Sequence, residues 1–216
     1  MFNITITEIN ARILVSKQLL GLVRMFERSR PPEAATCKGL MFVQLYGTYE
    51  YAVHSAVQAI LSSIRSDGLC PRDLHQRALT LVLHSGFVSA STVGPRRMWE
   101  QRLDLVARLD STVPLQSLDN TVFPKDASHY RVKQLETIWA VFGLTVPVVP
   151  EPRLIGRIEE LVENRNAIAH GRRTAEEVGG RYSTLEIEKR IDDVEQISSY
   201  VVTQMEAHYR GGGVRR

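Results

Sequence analysis

The chain has 216 residues, 44% of them hydrophobic and 24% charged. That balance excludes a wholly disordered chain, and the length allows a buried core without disulfide staples. The 27 basic residues against 24 acidic ones leave a net charge of only +3, which by itself proves no nucleic-acid partner. Of the basic residues 22 are arginine and 5 are lysine. Where the arginines sit therefore matters, because a guanidinium grips phosphate bidentately and an ammonium acts as a point charge.

From the N-terminus, Phe2 to Thr7 alternates weakly between apolar and polar residues, and a first helix is expected from near Thr7 to Arg28, ended by Pro31-Pro32. A second helix spans Cys37 to Arg65, with Phe42, Tyr46, Tyr49, Val53, Val57, Ile60 and Ile64 on one face at steps of three and four. Pro71 suits the first turn of a third helix reaching His84, and the small, polar stretch Gly86 to Val93 reads as a loop. Pro95 opens a helix to Arg108 whose apolar side carries Trp99, Leu103, Val106 and Leu109. Residues 111–127 form a long irregular insertion. Ser128 can cap a helix from His129 to Phe142, and Thr145 to Pro152 is an extended link.

The next helix begins at Pro152 or Arg153 and ends at His170-Gly171. Two capping boxes follow, Thr174 to Glu177 and Ser183 to Glu186, and the second opens a long helix with Ile187, Ile191, Val194, Ser198, Val201, Val202, Met205 and Tyr209 on one face. This pattern predicts a single all-α bundle over residues 1–209, followed by a flexible C-terminal tail at 210–216. The two cysteines, Cys37 and Cys70, suit a reducing compartment. There is neither a secretory leader pattern nor an apolar run of membrane-spanning length, so a cytoplasmic protein with no membrane partner is expected. No cofactor or metal is expected: phosphate-loop and metalloprotease motifs are missing, and Cys70 and His75 complete no zinc spacing.

Chemistry concentrates in the helix that ends at His170. On a helical wheel Ile155, Ile158, Leu161, Val162 and Ala169 form an apolar stripe, and Arg165 falls in the middle of it. Because a desolvated guanidinium without a partner is costly, either it snorkels out to solvent or something anionic meets it. Glu50, at the border of the second helix's apolar face, is the candidate for a buried or half-buried pair with Arg165. Asn166 and His170 stand one turn apart at the stripe's edge, with Gly171 as C-cap. Arg172-Arg173 and Arg96-Arg97 are candidates for a phosphate-tracking rim.

The string Leu161-Val-Glu-Asn-Arg165-Asn166-Ala-Ile-Ala-His170-Gly171 resembles the Arg-x4-6-His signature of the HEPN superfamily. The Tyr46 to Tyr51 run, the Trp99 helix and the block Ile138 to Leu144 are similar to the bacterial MAE-type and RiboL-PSP-associated members. The resemblance implies a helical bundle that dimerises and brings two motif copies to one cleft. It also implies metal-independent RNA cleavage, with Arg165 and His170 catalytic and Asn166 and Glu50 supporting. RNA and a second copy are the implied partners, with an antitoxin or sensor protein besides, in a toxin or phage-defence setting. The alternative it leaves open is a catalytically silent module that binds RNA or a partner protein. Some members carry His-x-Tyr as a modification site. Here Arg172 stands where that tyrosine would be.

Overall fold

A computed structural model describes residues 2–92, 94–116, 118 and 130–216. Among them are eight α-helices and one 3₁₀ turn: α1 (Phe2–Phe26), α2 (Pro31–Ser66), the turn at Pro71–Asp73, α3 (Leu79–Thr92), α4 (Pro95–Arg108), α5 (Val132–Phe142), α6 (Arg153–Ala169), α7 (Ala175–Gly179) and α8 (Thr184–Arg210). The all-α expectation holds.

α2 is the central helix and packs against α1, α6, α7 and α8, while α8 also covers α1 and α6. Its burial on most sides, from Met41 and Phe42 to Ile64, is what an interior position demands of a helix. α7 approaches α2 so closely that glycine is required at both ends of the contact. A Cβ on Gly39 would lie 1.9 Å from the Ala175 carbonyl oxygen, and one on Gly179 would lie 1.9 Å from that of Ala35. Lys38, itself buried, donates from Nζ to the Tyr182 carbonyl at 2.7 Å and so ties the α7–α8 loop to α2.

Several boundaries differ from the sequence reading. The weak alternation at Phe2 to Thr7 is helical, because Phe2, Thr5, Ile9 and Ile13 share one buried face at helical spacing. α2 starts at Pro31, not Cys37, since two prolines are tolerated in a first turn whose N–H groups have no intrahelical partner. The third helix is displaced towards the C-terminus: Pro71 opens only a 3₁₀ turn, and the expected loop at Gly86 lies inside α3. Gly86 is where α4 crosses, and a Cβ on it would lie only 2.2 Å from a Leu105 methyl carbon. α3 and α4 pack principally on each other. Leu105 supplies the contact, and the expected apolar side of α4 is exposed, with Trp99 64%, Leu103 69% and Val106 63% accessible.

Ser128 and His129 lie outside the described residues, as does 119–127 of the expected insertion. Residues 111–116 are non-helical and return to the body through Leu115 N to the Leu69 carbonyl. The expected flexible tail is packed instead. Val214 is fully buried, Leu74 and Arg215 form an antiparallel bridge, and Arg216 N donates to the Asp73 carbonyl at 2.8 Å. One buried valine, with backbone partners on both sides of it, overrides the loose glycine run.

Candidate functional site

The site is built on the last turn and a half of α6. The helix ends at Ala169, His170 is the C-cap, and Gly171 takes a left-handed φ of +65° that turns the chain away. The exit is fastened by His170 N to the Asn166 carbonyl at 3.0 Å and Arg173 N to the Ala167 carbonyl at 3.1 Å. The His170 side chain is exposed and has no hydrogen-bond or ion-pair partner among the described residues. A histidine that stabilised the fold by packing would be covered, and this one is open to an incoming molecule.

Arg165 is half-buried. Its guanidinium lies over the Tyr46 ring, 4.9 Å from the centroid, and Nη1 donates to Asn166 Oδ1 at 3.1 Å. Asn166 is 6% exposed and so fixes the fork from the buried side. Tyr46 is held in turn by its hydroxyl, which donates to Glu50 Oε1 at 3.1 Å. Burial first, and then the Glu50 charge, push the Tyr46 phenol well above its usual range, so it stays a neutral donor.

The expected direct Glu50–Arg165 pair is not formed: among the described residues no ion pair joins them. Glu50 is exposed, and Tyr46, one turn before it on α2, takes up its carboxylate and offers Arg165 the ring face. Glu50→Ala should therefore cost less than about 1 kcal/mol in urea unfolding, the range of an exposed polar contact. A loss near 3 kcal/mol would mean that Arg165 depends on that charge.

The predicted apolar stripe of α6 is also rotated. Ile155 is 42% exposed and Ala169 is accessible, whereas Asn164, Asn166 and Ala167 are buried. The cause is a second contact face that the wheel did not include. Asn164 Nδ2 donates to the Tyr182 hydroxyl at 2.8 Å, and that hydroxyl donates to Glu160 Oε1 at 3.1 Å. Glu160 receives Arg190 from α8 at 2.6 Å. Arg181 Nη2 donates to Asn164 Oδ1 at 3.0 Å. A polar chain thus runs beneath the motif from α8 through α6 to the α7–α8 loop.

The four candidate rim arginines are not brought together. Arg172 and Arg173 border one cavity with Glu177 and Arg181, while Arg96 and Arg97 stand on α4 and do not line it. Arg172 pairs with Glu163 at 2.9 Å, and Arg131 lies 3.7 Å from the same carboxylate. Residues that sequence reasoning missed are Asn164, Glu160, Tyr182, Arg190 and Arg181. The one available signal was Asn164 itself, a polar residue immediately before Arg165. No helix among the described residues is long and apolar enough to cross a membrane. A family model described as RiboL-PSP-HEPN matches residues 14–207. Neither a curated protein nor a solved structure matches the chain.

Proposed function

The chain belongs to the RiboL-PSP-HEPN family, and from that membership together with the site at the end of α6 we propose that it is a metal-independent endoribonuclease. Membership points to a nuclease or RNA-binding role. The observation that carries the narrower reading is the contrast between two side chains five residues apart. Arg165 is immobilised by Tyr46 and Asn166, and His170 is open to solvent. An open imidazole beside a held guanidinium is the division of labour that catalysis needs.

RNA supplies its own nucleophile in the 2′-hydroxyl. In the proposed reaction its oxygen attacks the adjacent phosphorus, the bond from phosphorus to the 5′-oxygen breaks, and the products carry a 2′,3′-cyclic phosphate and a 5′-hydroxyl. One proton leaves the 2′-hydroxyl and one is added to the 5′-oxygen, so the step needs a base and an acid. Imidazoles exchange protons near neutral pH. Two copies of the chain across a two-fold axis would supply one histidine for each role. The Arg165 fork stabilises the negative charge that grows on the non-bridging oxygens. In this reading Asn166 supports the site by holding Arg165, and Glu50 by holding Tyr46. A cytoplasmic setting as a toxin or phage-defence effector, restrained by an antitoxin or a sensor protein, fits the reading and comes from the resemblance.

The test is the substrate's own hydroxyl. Single-stranded RNA should be cut, and the same strand with 2′-deoxy sugars throughout should bind without being cut. Cleavage of the deoxy strand would overturn the mechanism. Binding of both strands without cleavage of either would make the chain the silent RNA-binding module.

A further inference from the structure

Arg172, Arg173, Glu177 and Arg181 border a cavity of about 440 Å³ at the exit of α6, and none of the steps above uses it. Its charges are poorly matched from within. The Arg173 guanidinium has no hydrogen-bond or ion-pair partner among the described residues, and it projects from a segment pinned to α6 through its own N–H and the Ala167 carbonyl. Arg181 is held by a neutral acceptor, the Asn164 amide oxygen, and by its approach to the Tyr182 ring, 6.0 Å from the centroid. Arg172 alone meets a carboxylate outside the wall, that of Glu163, which Arg131 shares. The wall's acid, Glu177, has Oε2 engaged by the Thr174 N–H at 2.7 Å. Three guanidiniums thus face one cavity against a carboxylate already committed to backbone. The wall is left net positive, a field that favours an anion.

Two features give the anion its class. A guanidinium presents a planar N–H fork, which matches the oxygens of a tetrahedral phosphate better than a monatomic ion, and Asn164 and Glu163 orient the forks of Arg181 and Arg172. Only Gly171 separates His170 from Arg172 and Arg173 in the chain, so the cavity and the imidazole both sit at the exit of α6. We infer that this cavity is a phosphate subsite in which Arg173 and Arg181, assisted by Arg172, hold a phosphodiester flanking the one that is cut. Arg181 is brought in from the α7–α8 loop by Asn164. The inference rests on the reading of the chain as an RNA-cleaving protein. The same chemistry would accept free phosphate, so the experiment has two arms.

In the first arm, the full-length His170→Ala protein, which leaves RNA intact, is titrated with a labelled short single-stranded RNA at several salt concentrations. Arg173→Gln and Arg181→Gln, each added to that background, should weaken binding roughly tenfold, the loss of one charge-assisted contact. Each should also make the dependence of log affinity on log salt shallower by ~0.7, one phosphate contact on a single strand. Both side chains are exposed, so the variants fold. In the second arm, inorganic phosphate is added while the arginine Nε–H resonances are followed. Movement of the Arg173 and Arg181 signals in a protein that binds no RNA would leave the subsite standing as a free-phosphate site and remove the RNA reading. Where RNA binds, unchanged affinity and slope in both variants overturn the inference. Where RNA does not bind, unmoved resonances do so.

Discussion

Replacing Glu160 by alanine is expected to cost about 3 kcal/mol of stability, the low end for breaking a buried ion pair. Arg190 is only 9% exposed and donates to Glu160 at 2.6 Å, so the substitution leaves a guanidinium without its main partner in a region of low dielectric. Asp193, 4.0 Å from Arg190, offsets part of the loss. The Tyr182 hydroxyl loses its acceptor as well, and with it the chain to Asn164 slackens. The double variant Glu160→Met, Arg190→Met should recover most of the loss, because neither charge then remains to be desolvated. The pH dependence follows from the same contact. Burial opposes the charged form of Glu160, but the hydrogen bond and charge of Arg190, with Tyr182 and Arg157, outweigh it and hold the carboxyl below its ordinary 4.5. A group depressed in the folded state contributes stability that is present above its unfolded pKa and is lost as the pH falls through its folded one. The wild-type advantage over Glu160→Ala should therefore be full at neutral pH and shrink once the pH drops below about 4.5. An advantage that stayed constant down to pH 3 would show that the carboxylate's charge is not what Arg190 needs.

How much of this was legible beforehand depended on whether a residue's fate was decided within its own helix. The ends of α6 and the two capping boxes follow from local chemistry, and the Thr174 and Ser183 side chains accept from the N–H groups of Glu177 and Glu186 as the spacing requires. Arg165 stood out because the wheel placed it among apolar neighbours. What answers it was not legible. A wheel shows that a carboxylate lies near a buried face, but not that Tyr46 will come between Glu50 and the guanidinium. For the same reason Trp99, Leu103 and Val106 read as the apolar side of a helix and are nevertheless exposed: periodicity finds an apolar face and cannot say whether anything covers it. Asn164, Tyr182 and Arg181 converge from segments 17 and 18 residues apart, and such a meeting is fixed by tertiary packing. The tail shows the reverse error. Three glycines suggested fraying, and one valine with backbone partners holds the segment down.

His170→Ala is expected to lower RNA cleavage by roughly 10²–10⁴-fold, the contribution of a positioned general acid or base. Its unfolding midpoint should match the wild type, because the imidazole is exposed and carries no contact among the described residues. Arg165 and Asn166 remain in place in the variant, so RNA binding should persist while turnover is lost, which separates chemistry from affinity. The most direct measurement takes the wild type and this variant together with single-stranded RNA in excess EDTA and identifies the ends of the fragments. The wild type should yield 2′,3′-cyclic phosphate and 5′-hydroxyl ends at an undiminished rate, and the variant almost none. Cleavage that disappears with EDTA, fragments ending in 5′-phosphate, or full activity in His170→Ala would contradict the assignment of this site.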